Sequence, residues 1–173
     1  MTEKQEKIYR AALKLFAEQG YSGTSTSKIA KEAGVSEGLI FRHFGNKEGL
    51  LKVILGEAME ELKKSAVGVL MANEPKEVLR KAIELPFNIP HEKYKMWKLL
   101  YSLKWQAEHY ESQEHEPLQL ILRNAFEQLG YEDPDAELEF YMTLLDGMAT
   151  TLLLHPPKDP QRLLKTALSK YNL

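Results

Sequence analysis

The densest set of ligating side chains is Glu108, His109, Glu111, Glu114, His115 and Glu116, with Glu111 and His115 at the i,i+4 spacing that puts two ligands on one helix face. Pro117 breaks a helix at that point, and no third neutral ligand stands nearby, so the run reads as a solvated charged loop rather than a metal site. The chain has no cysteine, which removes thiolate ligands, disulfides and a thiol nucleophile. No catalytic residue, metal or cofactor is expected. A sharper pattern lies between Thr24 and Leu50. There Glu37, Leu39, Arg42 and His43 share a short helical stretch with Ile40 and Phe44, whose i,i+4 spacing makes the buried face and leaves the other four less committed to a core. Such groups suit the edges of nucleic-acid bases. Arginine donates to guanine O6 and N7 or to phosphate, a carboxylate accepts from cytosine N4, and an aliphatic group meets the thymine methyl. Lys47 opens the next helix, where its ammonium and the free N–H groups can converge on one phosphate. A third group, Tyr94, Trp97, Tyr101 and Trp105, recurs at i+3 and i+4 steps. Rings with polar tips in such a stripe either fill a core or wall a pocket for a flat or amphipathic ligand.

The elements that position these groups follow from caps and periodicity. Thr2 and Gln5 form a capping box for a first helix, in which Ile8, Ala12, Leu15 and Phe16 recur at helical spacing as far as Gly20, and Tyr21 folds back on its end. Thr24, Ser25, Thr26 and Ser27 supply cap oxygens for a second helix with Ile29, Ala30 and Ala33 inward. Gly34 stops it by taking positive φ, Val35 follows, and Ser36 caps a third helix to Phe44. Two short helices joined by a three-residue turn make a helix-turn-helix, roofed by the first helix. Asn46 caps a fourth helix from Lys47 to about Ala72.

With Gly20-Tyr21 before it and Asn46-Lys47-Glu48 after it, the run TSTSKIAKEAGVSEGLIFRHFGNKEGL resembles the DNA-binding domain of the TetR family of bacterial transcriptional regulators, over about residues 4 to 55. The resemblance implies a three-helix head at 1–46 and a helical ligand-binding and dimerisation body at 47–173, all-α throughout. Carried onto this chain, the family's DNA contacts fall on Ser25, Thr26, Ser27, Ser36, Glu37, Gly38, Leu39, Phe41, His43 and Lys47, beside Arg42. Two positions depart from the family pattern: Phe41 replaces a tyrosine whose hydroxyl reaches a phosphate, and Leu39 stands where a small or polar residue is frequent. Base readout is therefore expected to be partly apolar. The resemblance further implies a cytoplasmic homodimeric repressor, transcription regulation through a near-palindromic double-stranded operator, and release by a small-molecule inducer.

The length of 173 residues suits one small head and one larger core. The net charge of −2 is uneven, because residues 1–47 hold eight Lys and Arg against five Asp and Glu. That leans the head towards a polyanion. No apolar run reaches the roughly 20 residues of a membrane span, and the N-terminus lacks a signal-peptide core, so no membrane association is expected. Beyond the fourth helix, prolines punctuate helical segments at about 76–85, 90–111, 117–129, 134–154 and 160–171, with no strand-like alternation. The 90–111 segment reads as a central body helix, with the four aromatics as the expected ligand-binding residues. The 134–154 segment is apolar all round, and Gly147, Ala149, Thr150 and Thr151 would admit a second helix; the TetR resemblance implies that this helix and the last one, at about 160–171, form the dimer interface. Competing classes are an all-α protein-interaction module without DNA binding and an enzyme built on the Glu/His cluster.

Overall fold

The structure is a computed structural model that describes residues 1–104 and 116–173. The charged cluster at 108–115 and Trp105 lie outside the described residues. Among those described, the chain is all helical: α1 (Glu3–Gln19), α2 (Thr26–Ala33), α3 (Glu37–Phe44), α4 (Lys47–Leu70), α5 (Pro75–Glu84), α6 (Tyr94–Lys104), α7 (Glu116–Gln128), α8 (Pro134–Leu154) and α9 (Pro160–Lys170), with two 3₁₀ turns at Leu85–Asn88 and His91–Lys93. Contacts divide the chain into two compact units. The first takes in Met1–Glu61 and the chain from His91 through α6, and the second takes in Leu62–Pro90 and everything from α7 onward.

In the first unit the expected local signals operate. Thr2 caps α1 through a reciprocal box, its hydroxyl accepting from the Gln5 N–H at 3.3 Å while its own N–H donates to the Gln5 side chain at 2.7 Å. Ile8, Ala12 and Phe16 of α1, Ile29 of α2, Ile40 of α3 and Leu50 and Ile54 of α4 close one core. Leu99 of α6 belongs to the same core, with Leu103 packed against it. The helix that the sequence presents as central to the body is thus packed on α1, because its Leu99–Leu103 seam matches the head's apolar face. Its start also differs: Pro90 is followed by a 3₁₀ turn, and the α-helix begins only at Tyr94.

The second unit has its own core, built from Val78, Leu79, Ala82 and Ile83 of α5, Leu122 and Phe126 of α7, Tyr141 and Met148 of α8, and Ala167 and Tyr171 at the end of α9. Pro117 sits in the first turn of α7, where a missing N–H costs nothing. Asp133 and Asp159 cap α8 and α9 by accepting from the N–H groups of Ala136 at 3.0 Å and Arg162 at 3.1 Å, each with proline at the start of the helix. Helix α8 is two-sided. Tyr141, Met148, Ala149, Leu152 and Leu153 are buried within the single chain. On the opposite side Phe140 is 62% exposed, and Thr143 and Gly147 are exposed as well. Ala149 therefore serves the chain's own packing, and the side open to another helix is marked by Phe140, Thr143, Gly147 and Thr151.

Candidate nucleic-acid interface

Gly34 holds φ 65° and ψ 36°, a left-handed conformation that a Cβ disfavours, and Val35 donates back to the Ala30 carbonyl at 3.0 Å. This closes α2 and turns the chain into α3 after three residues. Ser25 is the residue that caps α2, accepting from the Lys28 N–H at 3.2 Å. Thr24 does something else. Its hydroxyl is buried and donates to the carbonyls of Gly20 at 2.9 Å and Leu15 at 3.3 Å, so it ties the loop to the end of α1. Ser36 occupies the N-cap position of α3, but its side chain makes no capping hydrogen bond and is exposed. Between α3 and α4 the turn is tight enough that a Cβ on Gly49 would stand 2.0 Å from the Phe44 carbonyl oxygen. Only glycine fits there. Asn46 caps α4 by accepting from the Gly49 N–H at 2.7 Å.

Three polar residues expected at the DNA, Thr26, Glu37 and Lys47, are engaged inside the head. Glu37 accepts from the Thr26 hydroxyl at 2.5 Å, joining the first turn of α2 to the first turn of α3. That bond fixes the two motif helices against each other and leaves Glu37 half-buried. Lys47 donates to the carbonyls of Tyr21 and Thr24, both at 3.0 Å, and its ammonium lies 4.2 Å from the centre of the Tyr21 ring. The Tyr21 ring also packs edge-on against Phe16 at 5.2 Å. Lys47 thus brackets the α1–α2 loop to the start of α4. The sequence shows Tyr21 as a helix-end contact only; its second role needs a cation 26 residues further on, which no local pattern announces.

The remaining candidates divide by exposure. Leu39 is half-buried and packs on the head core, and His43 is half-buried with its ring edge-on to Phe44 at 6.4 Å. Ser25, Ser27, Ser36, Gly38 and Arg42 are exposed, and Phe41 is 50% exposed. On a helix, Gly38, Phe41 and Arg42 fall at i, i+3 and i+4, so they form one outward stripe opposite Ile40 and Phe44. The expected ligand stripe is placed differently from an open wall: Trp97 is buried, whereas Tyr94 and Tyr101 are half-buried.

A braced pair of short helices, the first capped by Ser25, with a solvent-facing stripe on the second is the geometry of a recognition helix. Residues 8–54 match the family model described as bacterial regulatory proteins, tetR family. The head is a TetR-family DNA-binding domain. Among curated proteins, the uncharacterised HTH-type transcriptional regulator YerO of Bacillus subtilis (strain 168) is 37% identical over 91 residues, covering 50% of this chain and 31% of YerO. Matches to the curated relatives span between 19 and 39% of their lengths, so the chain is aligned with well under half of each. Solved structures extend the likeness in fold to the whole chain. The TetR family transcriptional regulator PfmR from Thermus thermophilus superposes with TM-score 0.73 at 24% identity, covering 100% of this chain and 96% of its own. AibR, solved with isovaleryl coenzyme A and operator DNA, superposes with TM-score 0.76 at 18% identity, covering 97% of each chain. The TetR-like architecture therefore includes the helical body as well as the head. No helix among the described residues is long and apolar enough to cross a membrane.

Proposed function

We propose that this chain is a ligand-responsive transcriptional regulator: a cytoplasmic homodimer, not an enzyme, that represses by holding a near-palindromic operator and is released by a small apolar or aromatic molecule. The observation that carries this reading is the outward stripe of α3 on a head in which Thr26, Glu37 and Lys47 hold α2, α3 and α4 in place. A recognition helix enters the major groove as a rigid body, so bracing it raises the precision of base contacts. In this reading residues 1–46 form the DNA-binding part and 47–173 the ligand-binding and dimerisation part. Ser25, Ser27, Ser36, Gly38, Phe41, Arg42 and His43 meet the duplex directly, while Thr26, Glu37 and Lys47 hold the helices that present them, and Leu39 supports α3 from beneath.

The inducer site is assigned to the aromatic stripe of Tyr94, Trp97, Tyr101 and Trp105. The dimer is assigned to the outward side of α8 together with α9, where an exposed phenylalanine beside glycine and threonine suits close helix–helix approach. The neighbour crystallised with both an acyl coenzyme A and operator DNA supports a fold able to hold both ligands. The test is selection from a random duplex library by the full chain, read with and without candidate apolar ligands. Enrichment of a twofold-symmetric sequence, weakened by one ligand, is the expected result. Retention of no duplex even at low salt would leave an all-α interaction module as the better description.

A further inference from the structure

Phe41 is the one large apolar side chain on the outward stripe of α3, at 50% exposure, and it takes no part in the head core. Its neighbours on the stripe make it prominent. Gly38, one turn earlier, has no side chain, and a Cβ built there would meet nothing within 4 Å, so the helix surface beside the ring is open and flat. Arg42, next along, is exposed and provides the positive charge that a phosphate or a guanine edge attracts. Leu39, the aliphatic residue that the sequence offers for apolar contact, is half-buried against the core. An exposed phenyl ring carries no donor or acceptor. In the major groove the one apolar feature that distinguishes a base pair is the C5-methyl group of thymine.

Resting on the DNA-binding reading above, we propose that Phe41 is a specificity-determining residue that recognises a thymine by packing its ring on the C5-methyl group. Gly38 leaves the space for that base edge to approach, and Arg42 holds the register from the adjacent position. The contact removes roughly one methyl group from water in each half-site, a step of about fourfold in affinity. No hydroxyl is needed, and a tyrosine at this position would add a polar group at the methyl-facing edge.

The experiment takes the operator selected by the full-length protein and replaces each thymine, one position at a time, by uracil, which differs only in lacking the methyl group. Binding is measured for the wild type and for Phe41→Ala, whose exposed position spares the core. The expected result is one position per half-site at which uracil weakens the wild type about fourfold and leaves Phe41→Ala unaffected. Uracil tolerated by the wild type at every position overturns the proposal, as does a Phe41→Ala loss that is equal for thymine and uracil, which assigns the ring to sugar or backbone. In both of those outcomes the wild type still binds its selected operator. Failure to select any operator would instead sink the DNA-binding reading itself.

Discussion

Lys47→Met removes the ammonium while keeping most of the side-chain stem, and its consequence differs sharply between two roles. If Lys47 brackets the head, the carbonyls of Tyr21 and Thr24 each lose a donor at 3.0 Å, and the Tyr21 ring loses a cation 4.2 Å away. Hydrogen bonds from charged groups contribute about 1.5–3 kcal/mol each when well buried. Lys47 is half-buried and water can replace part of each bond, so about 1 kcal/mol per bond is the appropriate figure, with about 0.5 kcal/mol for the cation–ring contact. The expected loss of head stability is about 2–3 kcal/mol. If Lys47 acts only on phosphate, stability stays within about 0.5 kcal/mol of wild type and the slope of log affinity against log salt falls by about 0.9 per contact. Urea unfolding can separate these when followed in a Trp105→Phe background, because Trp97 then reports alone from α6, which packs on α1. Unchanged unfolding with a flattened salt slope would refute the bracket. Both changes together would show that the third ammonium proton reaches a phosphate while the other two hold the loop.

Tyr141→Phe removes the buried hydroxyl that donates to the Leu79 carbonyl at 2.5 Å, and the expected loss is about 1–2 kcal/mol in unfolding free energy by denaturant titration. Burial pushes the Tyr141 phenol well above its ordinary value, and burial with the neighbouring Glu57 carboxylate does the same for Tyr9. Since the unfolded chain ionises first, their contribution is full below about pH 10 and is lost as pH rises from there towards the folded values. Alkaline unfolding should accordingly begin above about pH 10, with the Tyr141→Phe variant less steep in that range. Phe140→Glu, on the 62% exposed side of α8, should give folded monomers by sedimentation, whereas Leu152→Glu, at 4% exposure in the single chain, should lower the unfolding midpoint. A Phe140→Glu protein that sediments as the wild type does would remove α8's outward side from the proposed interface.

What the sequence made legible was local. The capping box at Thr2, the left-handed stop at Gly34, the three-residue turn, Asn46 as a cap and Tyr21 folded on Phe16 each depend on residues within about five positions, and each is present. The roles of Glu37 and Lys47 were less legible, because the partners that occupy them lie 11 residues away for Glu37 and up to 26 residues away for Lys47. A carboxylate or an ammonium near a recognition helix has the same appearance in sequence whether it faces a base or a neighbouring loop. Periodicity likewise showed that α6 has apolar sides without saying which neighbour each side meets. Leu99 was simply one apolar residue among several, yet it is the one that enters the head core. For α8, an all-round apolar pattern could not show that Ala149 faces the chain itself and Phe140 faces out; that distinction depends on where α5, α7 and α9 settle.

The placement of α6 bears on how a ligand could act at a distance. A bound molecule shifts operator affinity only through its differential affinity for two arrangements of the protein, and a roughly 5- to 150-fold effect corresponds to about 1–3 kcal/mol of coupling. Full burial of one leucine is worth about 1.5–3 kcal/mol, so partial loosening of the Leu99 seam is already of the required size. Leu99 packs in one core with Ile8, Phe16 and Leu50, which sit on α1 and α4. Under the proposed function, a molecule that reorients α6 through Trp97 or Tyr101 therefore acts on the core that supports α2 and α3. The first turn of α4, bracketed by Lys47, adds a second route into the same head. Because the motif helices are braced by Thr26 and Glu37, a strain entering from α6 or α4 moves them together, and two heads displaced as rigid bodies lose register with grooves of fixed spacing.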